Sequence, residues 1–138
     1  MNYGPSITIE PAKKAAAAAL DVARANGWTM AAAVVDPAGL LVYFEKMDDT
    51  QLGSVRVAPS KAAAAALFKR PTKALQEALA AGGDGMRILA LEGAVPIEGG
   101  LPLVIGGRIV GAIGLSGGTS AQDGQCAQAA VDSLKSEA

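Results

Sequence analysis

In Leu101-Pro102-Leu103-Val104-Ile105-Gly106-Gly107-Arg108-Ile109-Val110-Gly111-Ala112-Ile113-Gly114-Leu115, two apolar runs meet at a glycine pair. Two-residue hairpin turns need positive φ, which glycine adopts at no steric cost. Gly106-Gly107 therefore predicts antiparallel strands over Leu101 to Ile105 and Arg108 to Leu115. A second hairpin is expected upstream. There, Trp28 to Val35 is an apolar run suited to a buried strand, and Leu40 to Glu45 resembles its partner. Between them Asp36-Pro37-Ala38-Gly39 has proline and glycine where a type I turn prefers them.

Helices flank both hairpins. Thr8 reads as an N-cap with Pro11 in the first turn, Ala12 to Ala25 as a run of helix formers, and Asn26-Gly27 as a left-handed stop. Gln51 to Lys69 carries a second alanine-rich helix, with Pro59 either kinking it or marking the first turn of its main part. Thr72 is expected to cap a short helix to Ala81, stopped at Gly82-Gly83; Thr119 or Ser120 caps a last helix through Ala127 to roughly Leu134. From Gly82 to Gly124 lie 13 of the 17 glycines, so this passage needs turns and close backbone approaches. Because tight turns rather than crossovers join neighbouring strands, the expected class is α+β. An antiparallel sheet flanked by helices should form a single domain over residues 1–138. Lys-Ala-Ala-Ala-Ala-Ala-Leu occurs at Lys14 to Leu20 and again at Lys61 to Leu67, but the surrounding residues do not match at that offset, which argues against duplication.

Composition narrows the functions. The 138 residues hold 12 Lys and Arg against 13 Asp and Glu, a net charge of -1 that draws in neither nucleic acid nor an anionic membrane. Neither is expected as a partner. The absence of histidine excludes an imidazole base, a Ser-His or Cys-His pair, and His-ligated zinc or haem. No metal ligand set is evident. Cys126 is the only cysteine, so no internal disulfide forms, and Met1 to Pro5 lacks the regions of a signal peptide; both point to the cytoplasm. Only Trp28, Tyr3, Tyr43, Phe44 and Phe68 are aromatic, against 30 alanines, so stability must come from close packing of small residues and from burial between subunits.

Three stretches carry a resemblance. Ala94-Val95-Pro96-Ile97-Glu98-Gly99-Gly100-Leu101-Pro102-Leu103, Gly111-Ala112-Ile113-Gly114-Leu115-Ser116-Gly117-Gly118 and the following Asp123 resemble the GlcG/HbpS-like family of haem-binding or haem-degrading proteins. Val35 to Gly39 resembles that family's first hairpin, and Ser60-Lys61-Ala62 with Leu67-Phe68 and Pro71-Thr72 its central helix, so the likeness runs through nearly the whole chain. It implies a profilin-like antiparallel sheet flanked by helices and assembly into at least a dimer. Ala63 and Ala64 stand where the family has a polar pair, a departure that removes a polar wall from any pocket. The resemblance also implies haem as a cofactor, which here would need Tyr3, Tyr43, a methionine or Cys126 in place of histidine.

Candidate chemistry gathers at few positions. Glu98 beside Gly99 and Gly100 can face a ligand whose oxygens meet bare N–H groups, or sit on a plain turn. Lys61 is an anion-binding group or the polar edge of its helix, and Arg56, roughly 140° around that helix, reaches the same ligand only through a bend or across an interface. Ser116, Gly117 and Gly118 precede the last helix and could hold an anion at its positive end, where Asp123 also complements the dipole. The expected function is a small-ligand-binding protein for an organic anion. The alternatives are a cofactor-independent lyase, isomerase or hydratase, with Glu98 moving a proton and Lys61 holding an oxyanion, and a haem carrier.

Overall fold

The computed structural model describes residues 1–137. Helix α1 (Ile9–Ala25) precedes strands β1 (Ala31–Val35) and β2 (Leu41–Lys46). Helices α2 (Ser54–Phe68) and α3 (Thr72–Ala80) and a 3₁₀ helix (Gly83–Ala90) lead to β3 (Gly100–Ile105), β4 (Arg108–Ser116) and α4 (Ser120–Ser133). Both expected hairpins form, and the strands make one antiparallel sheet in the order β2-β1-β4-β3. Asp36 closes the first turn: its carboxylate accepts the N–H groups of Ala38 and Leu40, each at 2.9 Å.

Some expectations change in detail. Helix α1 starts at Ile9 with Thr8 in the N-cap position, as expected, but the Thr8 side chain makes no cap bond. Thr119, not Ser120, caps α4, in a reciprocal pair of bonds with Gln122. Thr72 does not cap α3. Pro71 occupies the N-cap position, and the Thr72 hydroxyl instead accepts the Gly100 N–H at 2.9 Å, because that buried donor has no other partner at the start of its strand. The glycine-rich passage also holds a 3₁₀ helix that its composition did not announce.

The sheet has two unlike faces. Helices α1 and α4 cover one, where Val34, Leu103, Ile113 and Leu115 provide large side chains. Helix α2 covers the other, where Ala31, Ala33, Val35 and Ala112 meet Ala58, Ala62, Ala65 and Ala66. Strand β1 is therefore buried on both sides, which is why it reads as an unbroken apolar run. On the α2 side the approach is close: a Cβ on Gly114 would strike the Ala58 carbonyl oxygen, and one on Gly100 the Lys61 carbonyl oxygen. Small residues here bring helix backbone onto sheet backbone.

That contact sets a test. Gly114→Ala should destabilise the fold by about 3 kcal/mol, the upper end for overpacking. Gly53→Ala, at a position of ordinary φ with open space around it, should change stability by less than about 1 kcal/mol. Urea unfolding of both variants measures the difference, and equal stabilities would refute the close-packed interface.

Candidate functional site

The close approach of α2 carries Lys61 into the interior. Its side chain lies on the face that packs on the sheet, and the residue is only 1% exposed. The ammonium donates to the Asp123 carboxylate at 2.8 Å and to the Leu115 carbonyl at 3.0 Å. Asp123, 3% exposed in the first turn of α4, accepts the Gly118 N–H on its other oxygen at 2.9 Å. Burial pushes the Asp123 pKa up, and the nearby Glu98 charge adds to this; the bonds from Lys61 and Gly118 oppose it without cancelling it. A raised folded pKa means that this group's contribution to stability is fully present below its unfolded pKa and is lost as pH rises through the folded value.

Directly above the pair runs Glu98-Gly99-Gly100. At Gly99 φ is +135°, and a Cβ there would stand 2.8 Å from the Lys61 ammonium and 3.0 Å from the Asp123 Cβ. Only glycine lets the chain cross. The crossing is fixed by bonds on each side: Leu115 N–H donates to Gly99 O at 3.0 Å, and Glu98 N–H to the Gln76 side chain at 2.8 Å. The Glu98 carboxylate lies over Gly124 of α4, whose missing side chain leaves it room. A depression of about 260 Å³ opens here, walled by Glu98, Gly99 and Gly100, by Lys73 beside α3's start, and by Gly124 and Gln128 of α4.

The structure thus brings together Lys61, Glu98, Gly99, Gly100, Gly118 and Asp123, but in two tiers. Glu98, Gly99 and Gly100 line the depression, whereas Lys61 and Asp123 form a buried pair beneath it. The Glu98 and Gly100 N–H groups are engaged inside the fold. Ser116 points elsewhere: it is buried, and its hydroxyl donates to Ser54 at 3.0 Å. The stretch Gly114 to Gly118 has the Gly-x-Ser-x-Gly spacing of a nucleophile elbow, but the serine is enclosed at a strand end and the chain has no histidine. Gly117 packs against the backbone of Thr29 and Met30, and Arg56 is exposed on α2. Lys73, Gln76, Gly124 and Gln128 were not anticipated. Thr72 and Gln76, four residues apart on α3, share the helix face that holds the Glu98–Gly100 loop, a spacing the sequence does contain.

A family model described as haem degrading protein HbpS-like matches residues 7–132. The chain belongs to the HbpS-like family. Within it, the chain is 38% identical to protein GlcG of Escherichia coli over 100 residues, 72% of this chain and 73% of GlcG. The solved structure of Klebsiella pneumoniae protein ORFY superposes with a TM-score of 0.88 at 28% identity, covering 100% of this chain and 97% of that one. A structure described as a PduOC:heme complex gives 0.84 at 26% identity, covering 94% and 96%.

Haem ligation, which the family implies, does not fit Tyr3, Tyr43 or Cys126 of this HbpS-like chain. The Tyr3 hydroxyl is bonded to the Ala66 carbonyl and its ring lies under the Lys69 ammonium. The Tyr43 hydroxyl donates to Glu45 at 2.6 Å, and that bond, with burial and the Glu45 charge, raises its pKa. Burial, and then the Asp123 charge, pushes the Cys126 thiol up to about 11, against thiolate formation. Met47 lines a polar hollow beside Arg24, Glu45 and Asp48. No three His, Cys, Asp or Glu side chains gather for a metal among the described residues.

Breaking the buried pair from one side should cost far more than removing it whole. Lys61→Met strands the carboxylate and Asp123→Asn strands the ammonium, each destabilising by about 3–5 kcal/mol. The double variant Lys61→Met/Asp123→Asn should recover most of either loss. Thermal or urea unfolding of the cycle reads this out, and strictly additive losses would refute the coupling.

Proposed function

We propose that the chain is a single-domain small-ligand-binding protein that takes an organic anion in the depression at Glu98–Gly100, acting in the cytoplasm as at least a dimer. The observation that carries this reading is the ion pair under Gly99. Because Asp123 neutralises Lys61, the floor of the depression is uncharged overall, and the exposed ammonium of Lys73 is the cation left to meet a ligand. Glu98, half-buried on the opposite wall, supplies an acceptor for a ligand hydroxyl or amine. The enzyme alternative asks Lys61 and the Glu98 and Gly100 N–H groups to hold an oxyanion. Those donors already serve the fold, which favours binding over catalysis.

A panel of small carboxylates screened by thermal shift tests this, since a ligand that binds only the folded chain raises its midpoint. Carboxylates should stabilise the protein, Lys73→Met should weaken the hits by about tenfold, as expected for loss of a charged contact, and Glu98→Gln should largely spare binding. If only neutral or cationic compounds stabilise it, the reading falls. Substrate consumption abolished by Glu98→Gln with binding retained would instead establish the enzyme. Light scattering at the chain's own mass would remove the dimer from the proposal and leave the site.

Haem is the second reading, supported by the PduOC:heme relative and by an apolar groove beside the depression. Titration with haemin decides it. The engaged Tyr43 hydroxyl, the buried Cys126 thiol and the setting of Met47 in a polar hollow predict no saturable Soret shift that depends on any of the three; a stoichiometric shift lost on replacing one of them would make haem the ligand.

A further inference from the structure

We infer that the ligand is an amphiphilic monocarboxylate, with a carboxylate at Lys73 and an apolar body of several carbons in the neighbouring groove. This rests on the binding reading above and names its ligand class. The depression does not end at Leu101: Pro71, Leu101 and Gln128 are shared with a second hollow of about 270 Å³, so the two form one trough. Each half alone falls short of the roughly 300–1,000 Å³ of an ordinary ligand pocket, and together they enter that range.

The character of the trough changes along its length. One half holds Glu98, the glycines and Lys73; the other is walled by Leu101, Pro102, Val104, Ile109 and Val131. Of these five only Ile109 is buried, while the others remain half-exposed within a concave surface. Covering them with hydrocarbon removes water from apolar area, which is favourable. The charged side chains on the walls are Lys69, Lys73 and Glu98, a net positive set that selects an anion.

A strand from a second copy is a poorer occupant. Strand β3 is the sheet edge, and Pro102 in it has no N–H to offer an added strand. The trough also leads into a polar pocket rather than onto a flat surface, as suits a small molecule with two unlike ends.

The experiment titrates acetate, butanoate, hexanoate and octanoate into the full-length protein by calorimetry. Affinity should rise about fourfold per buried methylene until the groove is filled. Val131→Glu should weaken octanoate at least tenfold more than acetate, Val104→Asp should do so independently, and Lys73→Met should weaken every member alike. Equal affinities for acetate and octanoate would overturn the amphiphilic ligand and leave the anion site standing. Failure of any carboxylate to bind would overturn both. A chain-length dependence that survives both groove variants, or a Val131→Glu change that only dissociates a multimer, would overturn the groove's role.

Discussion

The Lys61 ammonium and the Asp123 carboxylate meet 2.8 Å apart where α2, the end of β4 and the start of α4 converge. Taking either ion out of water costs several kcal/mol even after relaxation. The pair is supported by further bonds: Leu115 O accepts from Lys61, and Gly118 N–H donates to Asp123. Those bonds fix the last residues of β4 against both helices at once. The path left for the chain entering β3 is then so narrow that Gly99 and Gly100 must be glycine, one above the ammonium and one against the α2 backbone.

The same constraint shapes the chemistry of the depression. A lone lysine below the loop would make the pocket floor strongly positive; with Asp123 attached, the floor is a neutral dipole. In the proposed binding site, specificity would then rest on the side chains on the rim, Lys73, Glu98 and Gln128. The 3.0 Å bond between Leu115 and Gly99 and the Thr72 and Gln76 contacts hold the loop at three points, between β4 and α3, so the walls are preorganised by the fold. A ligand would meet a shape set by the fold and a charge set by very few residues.

What the sequence disclosed was local. Gly106-Gly107, Asp36 to Gly39 and Thr119 announce turns and a cap within a few residues of themselves, and the apolar runs beside the turns become the strands. The partners of Lys61, Ser116 and Thr72 are not local. Asp123 lies 62 positions from Lys61, Ser54 the same distance from Ser116, and Gly100 lies 28 from Thr72. A threonine before a helix reads as a cap until a distant strand presents an unpaired N–H. Likewise, the candidate residues around Glu98 could be assembled from type and resemblance, but their division into a buried pair and an exposed rim depends on packing depth, which no spacing encodes.

The repeated heptapeptide isolates that last point. Lys14 and Lys61 begin identical Lys-Ala-Ala-Ala-Ala-Ala-Leu segments, both helical, yet Lys14 is exposed and pairs with Glu137 while Lys61 is buried. Helix propensity is the same in both, so the difference comes from what each helix faces. On the face that α1 shares with α4 lie Val34, Leu103, Ile113 and Leu115, bulkier than the residues under α2. Under α2 lie Ala31, Ala33, Ala112 and Gly114, which let the backbones touch. Only on that side can a helical lysine reach through the sheet layer to a carboxylate on α4. The small-residue composition is therefore the condition for the buried pair, and through it for the loop that walls the site.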